Sequence, residues 1–178
     1  MTCVSKSVSR LELLRGRFRG VSGPQRPPWA IPEALFLNSC ERCAACREAC
    51  PEHILVEGSG GYPAVAFAQG GCTFCEACVT ACPSGALDLF ASDTKGERRA
   101  PWFLTAQISK ECLSRRGVTC RICGEHCESG AISFRLHRNG VATPRVEDSA
   151  CTGCGACVGP CPVAAIDMRP APEARPIP

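Results

Sequence analysis

The chain has 178 residues, which is enough for one domain or two small ones. Seventeen residues are cysteine and inflate the hydrophobic share of 45%; without cysteine the apolar share is about 35%, too small for a large aliphatic core. The formal net charge of +3 treats every cysteine as neutral. No segment approaches 18 apolar residues, so no membrane-spanning helix is predicted.

Residues 1–34 are predicted to form a basic N-terminal arm and linker. Up to Arg26 this segment has one acidic residue, Glu12, and six cations: Lys6, Arg10, Arg15, Arg17, Arg19 and Arg26. It contains no apolar run of seven, so no cleavable secretory signal is expected. The arm is interpreted as a solvated tail or as a docking segment for an acidic partner. Cys3 is interpreted as incidental, with a regulatory thiol as the alternative.

The other sixteen cysteines fall into four groups of four. Groups one, two and four have the spacing C-x2-C-x2-C-x3-C followed by proline, which is typical of bacterial 4Fe-4S ferredoxins. The groups are Cys40, Cys43, Cys46, Cys50; Cys72, Cys75, Cys78, Cys82; Cys112, Cys120, Cys123, Cys127; and Cys151, Cys154, Cys157, Cys161. All sixteen are therefore predicted to bind iron, in up to four 4Fe-4S clusters. Since each oxidised cluster with its thiolates carries about −2, four would bring the net charge to about −5, and the basic balance is no evidence for nucleic-acid binding.

Two other uses of cysteine are weighed against iron-sulfur binding. Closed zinc sites also use four cysteines, but they pair two C-x2-C units across an intervening stretch, unlike the continuous spacing found here. A disulfide scaffold is typical of short secreted chains, and no secretory signal is predicted here. Both alternatives are disfavoured by the sequence.

The sequence repeats beyond the cysteines, as in Pro83-Ser84-Gly85-Ala86-Leu87 and Glu128-Ser129-Gly130-Ala131-Ile132, which indicates one supersecondary unit used four times. Short apolar runs around a turn predict a hairpin between groups one and two, and another between groups three and four. A strand is predicted at Trp102–Ile108, and short helices at Cys78–Ala81 and Cys157–Gly159. The predicted fold is α+β, with two tandem bacterial-ferredoxin-like modules at residues 35–91 and 101–168, a linker at 92–100 and a proline-rich tail at 169–178.

In bacterial ferredoxins the fourth cysteine of a motif binds the neighbouring cluster. Exchange within each module predicts four ligand sets: Cys40, Cys43, Cys46 with Cys82; Cys72, Cys75, Cys78 with Cys50; Cys112, Cys120, Cys123 with Cys161; and Cys151, Cys154, Cys157 with Cys127. The alternative exchange joins group one with group four and group two with group three. Both pairings remain open at the level of sequence.

Group three is irregular, because seven residues separate Cys112 from Cys120 and Glu128 replaces the proline. The favoured interpretation is an ordinary cluster on a tolerated loop insertion. A more accessible and labile cluster is the functional alternative, and Cys112 as a non-ligand is a further one. His53 and His126 lie near cysteines, but each group already has four thiols, so neither histidine is predicted as a ligand.

The order of two regular groups, one C-x7-C-x2-C-x3-C group and a last regular group resembles the ferredoxin-type NapF family. The arginine-rich arm, the segment from Arg26 to Ala30 and above all Cys112–Cys123 carry the resemblance. That family accompanies periplasmic nitrate reductase, and the resemblance implies a non-enzymatic cytoplasmic protein. Its partner would be the molybdenum-containing catalytic subunit before export, which it would help to mature by cluster loading or reduction. Ser9-Arg10-Leu11 lacks a twin-arginine pair, so twin-arginine export is not expected.

Two other functions compete with this one. A conventional polyferredoxin subunit would relay electrons between a quinol-linked donor and a reductase. A redox-sensing regulator would require a DNA-binding module, and the sequence shows none.

Overall fold

A computed structural model describes residues 24–90, 96, 98–137 and 140–171 of the chain. The predictions for the arm before residue 24, for Cys3, for most of the linker and for the tail after residue 171 lie outside these ranges. The described chain forms short helices and two-stranded antiparallel sheets around the cysteine loops, and this confirms the α+β fold of two ferredoxin-like modules. The elements are α1 (Glu33–Ser39), α2 (Ala45–Glu48), β1 (Leu55–Glu57), a 3-10 turn (Ser59–Gly61), β2 (Pro63–Val65), α3 (Ala77–Thr80), β3 (Leu104–Ile108), a second 3-10 turn (Ser114–Arg116), α4 (Ile122–Glu125), β4 (Ile132–Leu136), β5 (Ala142–Val146) and β6 (Ile166–Pro170).

Each module has a hairpin between its two cysteine groups, as the sequence predicts. Strand β1 pairs with β2, with Leu55 opposite Val65, and β4 pairs with β5, with Ile132 opposite Val146. Leu55 and Ile132 start their strands and are buried. The buried end of each hairpin is therefore the end that directly follows a cysteine loop.

The predicted strand at Trp102–Ile108 is present as β3. It pairs with β6, and Ile108 lies opposite Ile166, so the first and last strands of module two close on each other. Module one has a single bridge in the corresponding place, between Ala30 and Leu87. Ala30, which the sequence groups with the arm and linker, thus contacts the end of module one.

The cores are small and combine aromatic or aliphatic side chains with cysteines. In module one the largest buried hydrophobic side chains include Trp29, Phe36 and Ile54. Module two has a smaller core, in which Ile132 and Ile166 pack with buried cysteines. Cysteine sulfur belongs to both cores, so a group bound at these sulfurs would organise the fold more than aliphatic packing does.

The helices differ from prediction at Cys157–Gly159 and at α1, α2 and α4, whose positions the sequence did not give. Helix α1 was not predicted, although Pro32 precedes it and Glu33 lies in its first turn, where a negative charge is favourable. The predicted helix at Cys157–Gly159 is wrong, because that segment forms turns, in which the Val158 N–H donates to the Gly155 carbonyl and the Cys161 N–H to the Val158 carbonyl. The helix predicted at Cys78–Ala81 is present as α3. Among the described residues, no helix has the length and apolar character needed to cross a membrane.

The modules pack directly against each other through the group-two and group-four loops. The Cys72 N–H donates to the Cys154 carbonyl at 2.8 Å. A Cβ built on Gly71 would lie 2.8 Å from Ala156, and one built on Gly155 would lie 2.2 Å from the Phe67 ring. Because distances under 3.0 Å leave no room for a side chain, these glycines set how closely the modules approach.

Candidate iron-sulfur sites

Module one brings eight cysteines into two adjacent sets. Burial, and then the neighbouring thiols of Cys82, Cys40 and Cys43, raise the pKa of Cys46 to about 11. Burial also raises the pKa of Cys78 to about 12, and its thiol neighbours are Cys72, Cys46, Cys50 and Cys75. A small cavity in this module is bordered by Cys50, Cys72, Cys75 and Cys78. Cys82 therefore lies with group one and Cys50 with group two.

Module two shows the same exchange. A cavity is bordered by Cys112, Cys120, Cys123 and Cys161, together with apolar residues of the surrounding strands. Burial raises the pKa of Cys157 to about 12, and the thiols that act on it are Cys154, Cys151, Cys123 and Cys127. The fourth cysteine of each group thus lies with the other group of its own module, whereas the alternative pairing would place Cys161 with group one.

The raised thiol pKa values describe the chain without clusters. Burial disfavours the thiolate, so these thiols hold their protons near neutral pH. Iron binds thiolate, and cluster assembly must therefore release protons and supply the positive charge that stabilises the buried sulfur.

The backbone of the regular loops is shaped for a negatively charged group. In these loops the residues on both sides of the second cysteine have left-handed φ: Arg42 (59°) and Ala44 (67°) in group one, Phe74 (54°) and Glu76 (63°) in group two, and Gly153 and Gly155 (both 79°) in group four. This conformation costs a non-glycine residue about 1–2 kcal/mol. Alternating backbone handedness turns successive N–H groups into one concavity, which favours an anion such as a thiolate-bound iron-sulfur core.

A second left-handed position recurs three residues after the fourth cysteine. It is occupied by His53 (52°), Gly85 (67°), Gly130 (66°) and Ala164 (46°). All four repeats therefore share a backbone turn at the place where their sequences align. His53, which attracts attention in the sequence as a histidine near Cys50, is the turn residue of repeat one.

Hydrogen bonds reach several of the sulfurs. The Ala165 N–H donates to Cys161 Sγ at 3.2 Å, and the Phe74 N–H donates to Cys72 Sγ at 3.4 Å. Two serines at equivalent positions of repeats two and three lie near a cysteine sulfur, with Ser84 Oγ 3.7 Å from Cys82 Sγ and Ser129 Oγ 3.6 Å from Cys127 Sγ. When the sulfur is a thiolate the hydroxyl must donate, so the serines favour the charged, iron-binding form.

Group three reaches a similar site by a different route. Arg121, which follows its second cysteine, has φ −132° instead of a left-handed value. The insertion instead folds into the 3-10 turn Ser114–Arg116, and the Ser114 hydroxyl donates to the Cys120 carbonyl at 2.5 Å. Ser114 is 2% exposed. The sequence does not single it out, because there it is only one polar residue inside a loop. Because Cys112 borders the same cavity as Cys120, the insertion does not remove it from the site.

In the described part of the chain, no group of three or more His, Cys, Asp or Glu side chains is arranged to hold a single metal ion. A tetrahedral zinc site would bring its sulfurs within about 3.8 Å of one another, given zinc–sulfur bonds of about 2.3 Å. A four-iron cluster binds one thiolate at each of four separate irons and so needs a wider arrangement. The cavities and the N–H concavities above are the features that fit such a cluster.

Two models of the 4Fe-4S dicluster domain match the chain, at residues 39–87 and 117–165. The ferredoxin-type protein NapF of Escherichia coli strain K12 is 43% identical over 158 residues, which cover 89% of this chain and 92% of that protein. The chain belongs to the NapF family. NapF of Haemophilus influenzae is 39% identical over 174 residues, covering 92% of this chain and 95% of that protein. The methylamine utilization ferredoxin-type protein MauM of Methylophilus methylotrophus is 37% identical over 162 residues, covering 83% and 70%.

These matches confirm an iron-sulfur protein with up to four 4Fe-4S clusters. NapF relatives span nearly the whole chain, including group three, whereas the second domain match begins after Cys112. The regular domain pattern alone would therefore miss that cysteine, and the structure is what places it beside Cys120.

Proposed function

We propose that all sixteen grouped cysteines bind iron, in the four sets formed by exchange within each module. The observation that supports these sets is the placement of Cys82, Cys50, Cys161 and Cys127 beside the group to which each would contribute a thiolate. Iron and acid-labile sulfide measured on anaerobically purified protein should each be about sixteen per chain. If the chain contains only about twelve irons and twelve sulfides, and if Cys112→Ala does not change these contents, Cys112 is excluded as a ligand.

We further propose that the protein is a cytoplasmic, non-catalytic accessory factor of periplasmic nitrate reductase. It contacts the molybdenum-containing catalytic subunit before export and helps to mature it by loading or reducing its iron-sulfur cluster. The support is the match to NapF over nearly the full length of both chains, with the irregular third group included. Two exposed cysteines, Cys43 and Cys75, place a sulfur of group one and of group two within reach of a docked partner.

The partner is tested by affinity capture from cytosol of cells that make the catalytic precursor. The tagged chain should retain the precursor, and a strain lacking the precursor gene supplies the control for nonspecific binding. Failure to retain the precursor from anaerobic cytosol would refute the partner assignment. Iron content of the captured protein must be measured in parallel, because a cluster-free chain would not present the folded surface.

Cluster loading and reduction give different results in one assay. Protein labelled with radioactive iron is mixed with apo precursor in the presence of a chelator that removes free iron. Loading moves label into the precursor, and Cys43→Ala should change the rate because it alters an exposed ligand position. A parallel sample uses precursor that already contains its cluster, and there reduction without loading leaves the label on this chain while the precursor's cluster becomes reduced.

The contact between the two modules favours a second function, that of a conventional electron-transfer subunit between a quinol-linked donor and a reductase. The loops of groups two and four are in contact. A carrier that passes electrons through all its clusters requires such a contact between its two modules. Four clusters that survive the chelator, cycle reversibly and transfer no iron would support this function over loading.

A further inference from the structure

The contacts among the cysteine loops place the four sites in a definite order. Within module one, Cys46 of group one and Cys78 of group two are buried in the same core. Within module two, Cys123 of group three and Cys157 of group four are likewise buried in one core. In each module the two sites are therefore adjacent, and the residues between them are the third cysteines of the two groups, all of which are buried.

Between the modules, the contact is made by group two and group four. The Cys72 N–H donates to the Cys154 carbonyl at 2.8 Å, and the Cys72 thiol also lies near enough to Cys154 to be affected by its charge. Both residues belong to the loops that supply three ligands each to their own sites. No sequence feature indicates this contact, since group two is followed along the chain by group three.

Glycines make the contact possible. A Cβ on Gly71 would lie 2.8 Å from the Cα and N of Ala156, and a Cβ on Gly159 would lie 2.7 Å from the Ala68 carbonyl oxygen. In both cases the obstructing atoms are backbone, which cannot rotate away as a side chain can. The two loops therefore approach as closely as backbones allow.

We infer that the clusters form one unbranched chain in the order group one, group two, group four, group three. The inference rests on the ligand sets proposed above. Group one and the irregular group three are then the two ends, and groups two and four form the internal junction. Electrons that travel between the two ends pass both internal sites, and the irregular group is one of those ends.

The order can be tested by removing clusters in pairs and recording EPR spectra of the reduced protein. Cys43→Ala with Cys120→Ala should leave the clusters of groups two and four, whose spins should interact and broaden each other's signals. Cys75→Ala with Cys154→Ala should leave the clusters of groups one and three, whose signals should be those of isolated spins. The four substituted cysteines are exposed or half-buried, and alanine keeps the Cys154 carbonyl that accepts the junction hydrogen bond.

Interaction in the second double variant, or none in the first, would overturn the order. Iron analysis of a further double variant, Cys43→Ala with Cys82→Ala, separates this failure from a failure of the ligand sets. It should retain about twelve irons per chain if both cysteines bind the group-one cluster, and about eight if they bind different clusters. About twelve irons with the wrong spin interaction rejects the order alone, whereas about eight irons rejects the sets.

A second comparison keeps every cysteine in place. Gly71→Ala should force the group-four loop away and weaken the interaction between the two internal clusters, with all four clusters retained. Gly70→Ala is the matched control, since its Cβ would meet its nearest neighbour, the Glu52 carbonyl oxygen, at an ordinary 3.7 Å. Equal spin interaction in the two variants would contradict the assigned junction.

Discussion

The left-handed turn after each fourth cysteine predicts the outcome of exchanging glycine and alanine between repeats. Gly85 has φ +67° and a Cβ built on it would meet no atom within 4 Å, so Gly85→Ala changes backbone strain without a clash. Alanine in this conformation costs about 1–2 kcal/mol in the folded chain. It also restricts the unfolded chain, which offsets about 0.4–1 kcal/mol. The net destabilisation should be about 0.5–1 kcal/mol.

The converse substitution should stabilise the protein by a similar amount. Ala164 occupies the equivalent position in repeat four with φ +46°, so Ala164→Gly relieves strain that glycine does not have. Cluster loss makes unfolding irreversible, and the measured quantity is therefore the half-life of the iron-sulfur visible absorbance at a fixed elevated temperature under anaerobic conditions. A change of 0.5–1 kcal/mol corresponds to about a two- to fivefold change in that half-life.

Gly70→Ala serves as the control, because Gly70 does not have a left-handed φ and its Cβ would make ordinary contacts. Its half-life should equal that of the unmodified chain or exceed it slightly. If Gly85→Ala is as well tolerated as Gly70→Ala, or if Ala164→Gly shortens the half-life, backbone strain does not govern these turns.

Three further results are expected. Trp102 Nε1 is buried beside Gly153 of the group-four loop and has no hydrogen-bond partner among the described residues. We expect this N–H to donate to a cluster held by that loop and to raise its potential, so Trp102→Phe should lower the potential in a redox titration. Trp29→Phe removes an indole N–H that already donates to the Arg99 carbonyl, and it should leave the potential unchanged. Ser114→Ala should destabilise the group-three site by about 0.5–1.5 kcal/mol, because the Cys120 carbonyl loses the hydroxyl of the buried Ser114 as its donor. The group-three cluster should then bleach first, and Ser129→Ala should have a smaller effect on it. Removal of iron by chelator and reductant should abolish most tertiary structure, measured by near-ultraviolet circular dichroism, and a cluster-free chain that keeps its signal would contradict the dependence of the fold on the clusters.

Much of the fold follows from local sequence. Hairpins form where apolar runs flank a turn, as at Leu55–Glu57 and Ile132–Leu136, because these signals act between residues close along the chain. Helix α1 and the missing helix at Cys157–Gly159 could not be predicted with the same success, since short helices depend more on tertiary packing than on propensity. Left-handed φ at Phe74 and Glu76 was also not predictable, because residue type alone disfavours it.

The sequence by itself determined the chemistry of this protein, since cysteine spacing is a local property and three thiolates from one loop are set by intervals of two residues. It also indicated the family, through the irregular spacing from Cys112 to Cys123. Only the tertiary structure decided which groups meet: each fourth cysteine lies near the other group of its own module, and Cys72 contacts Cys154 between the modules. That contact depends on backbone approach at glycines far apart in the chain, and no interval along the sequence encodes such a distance.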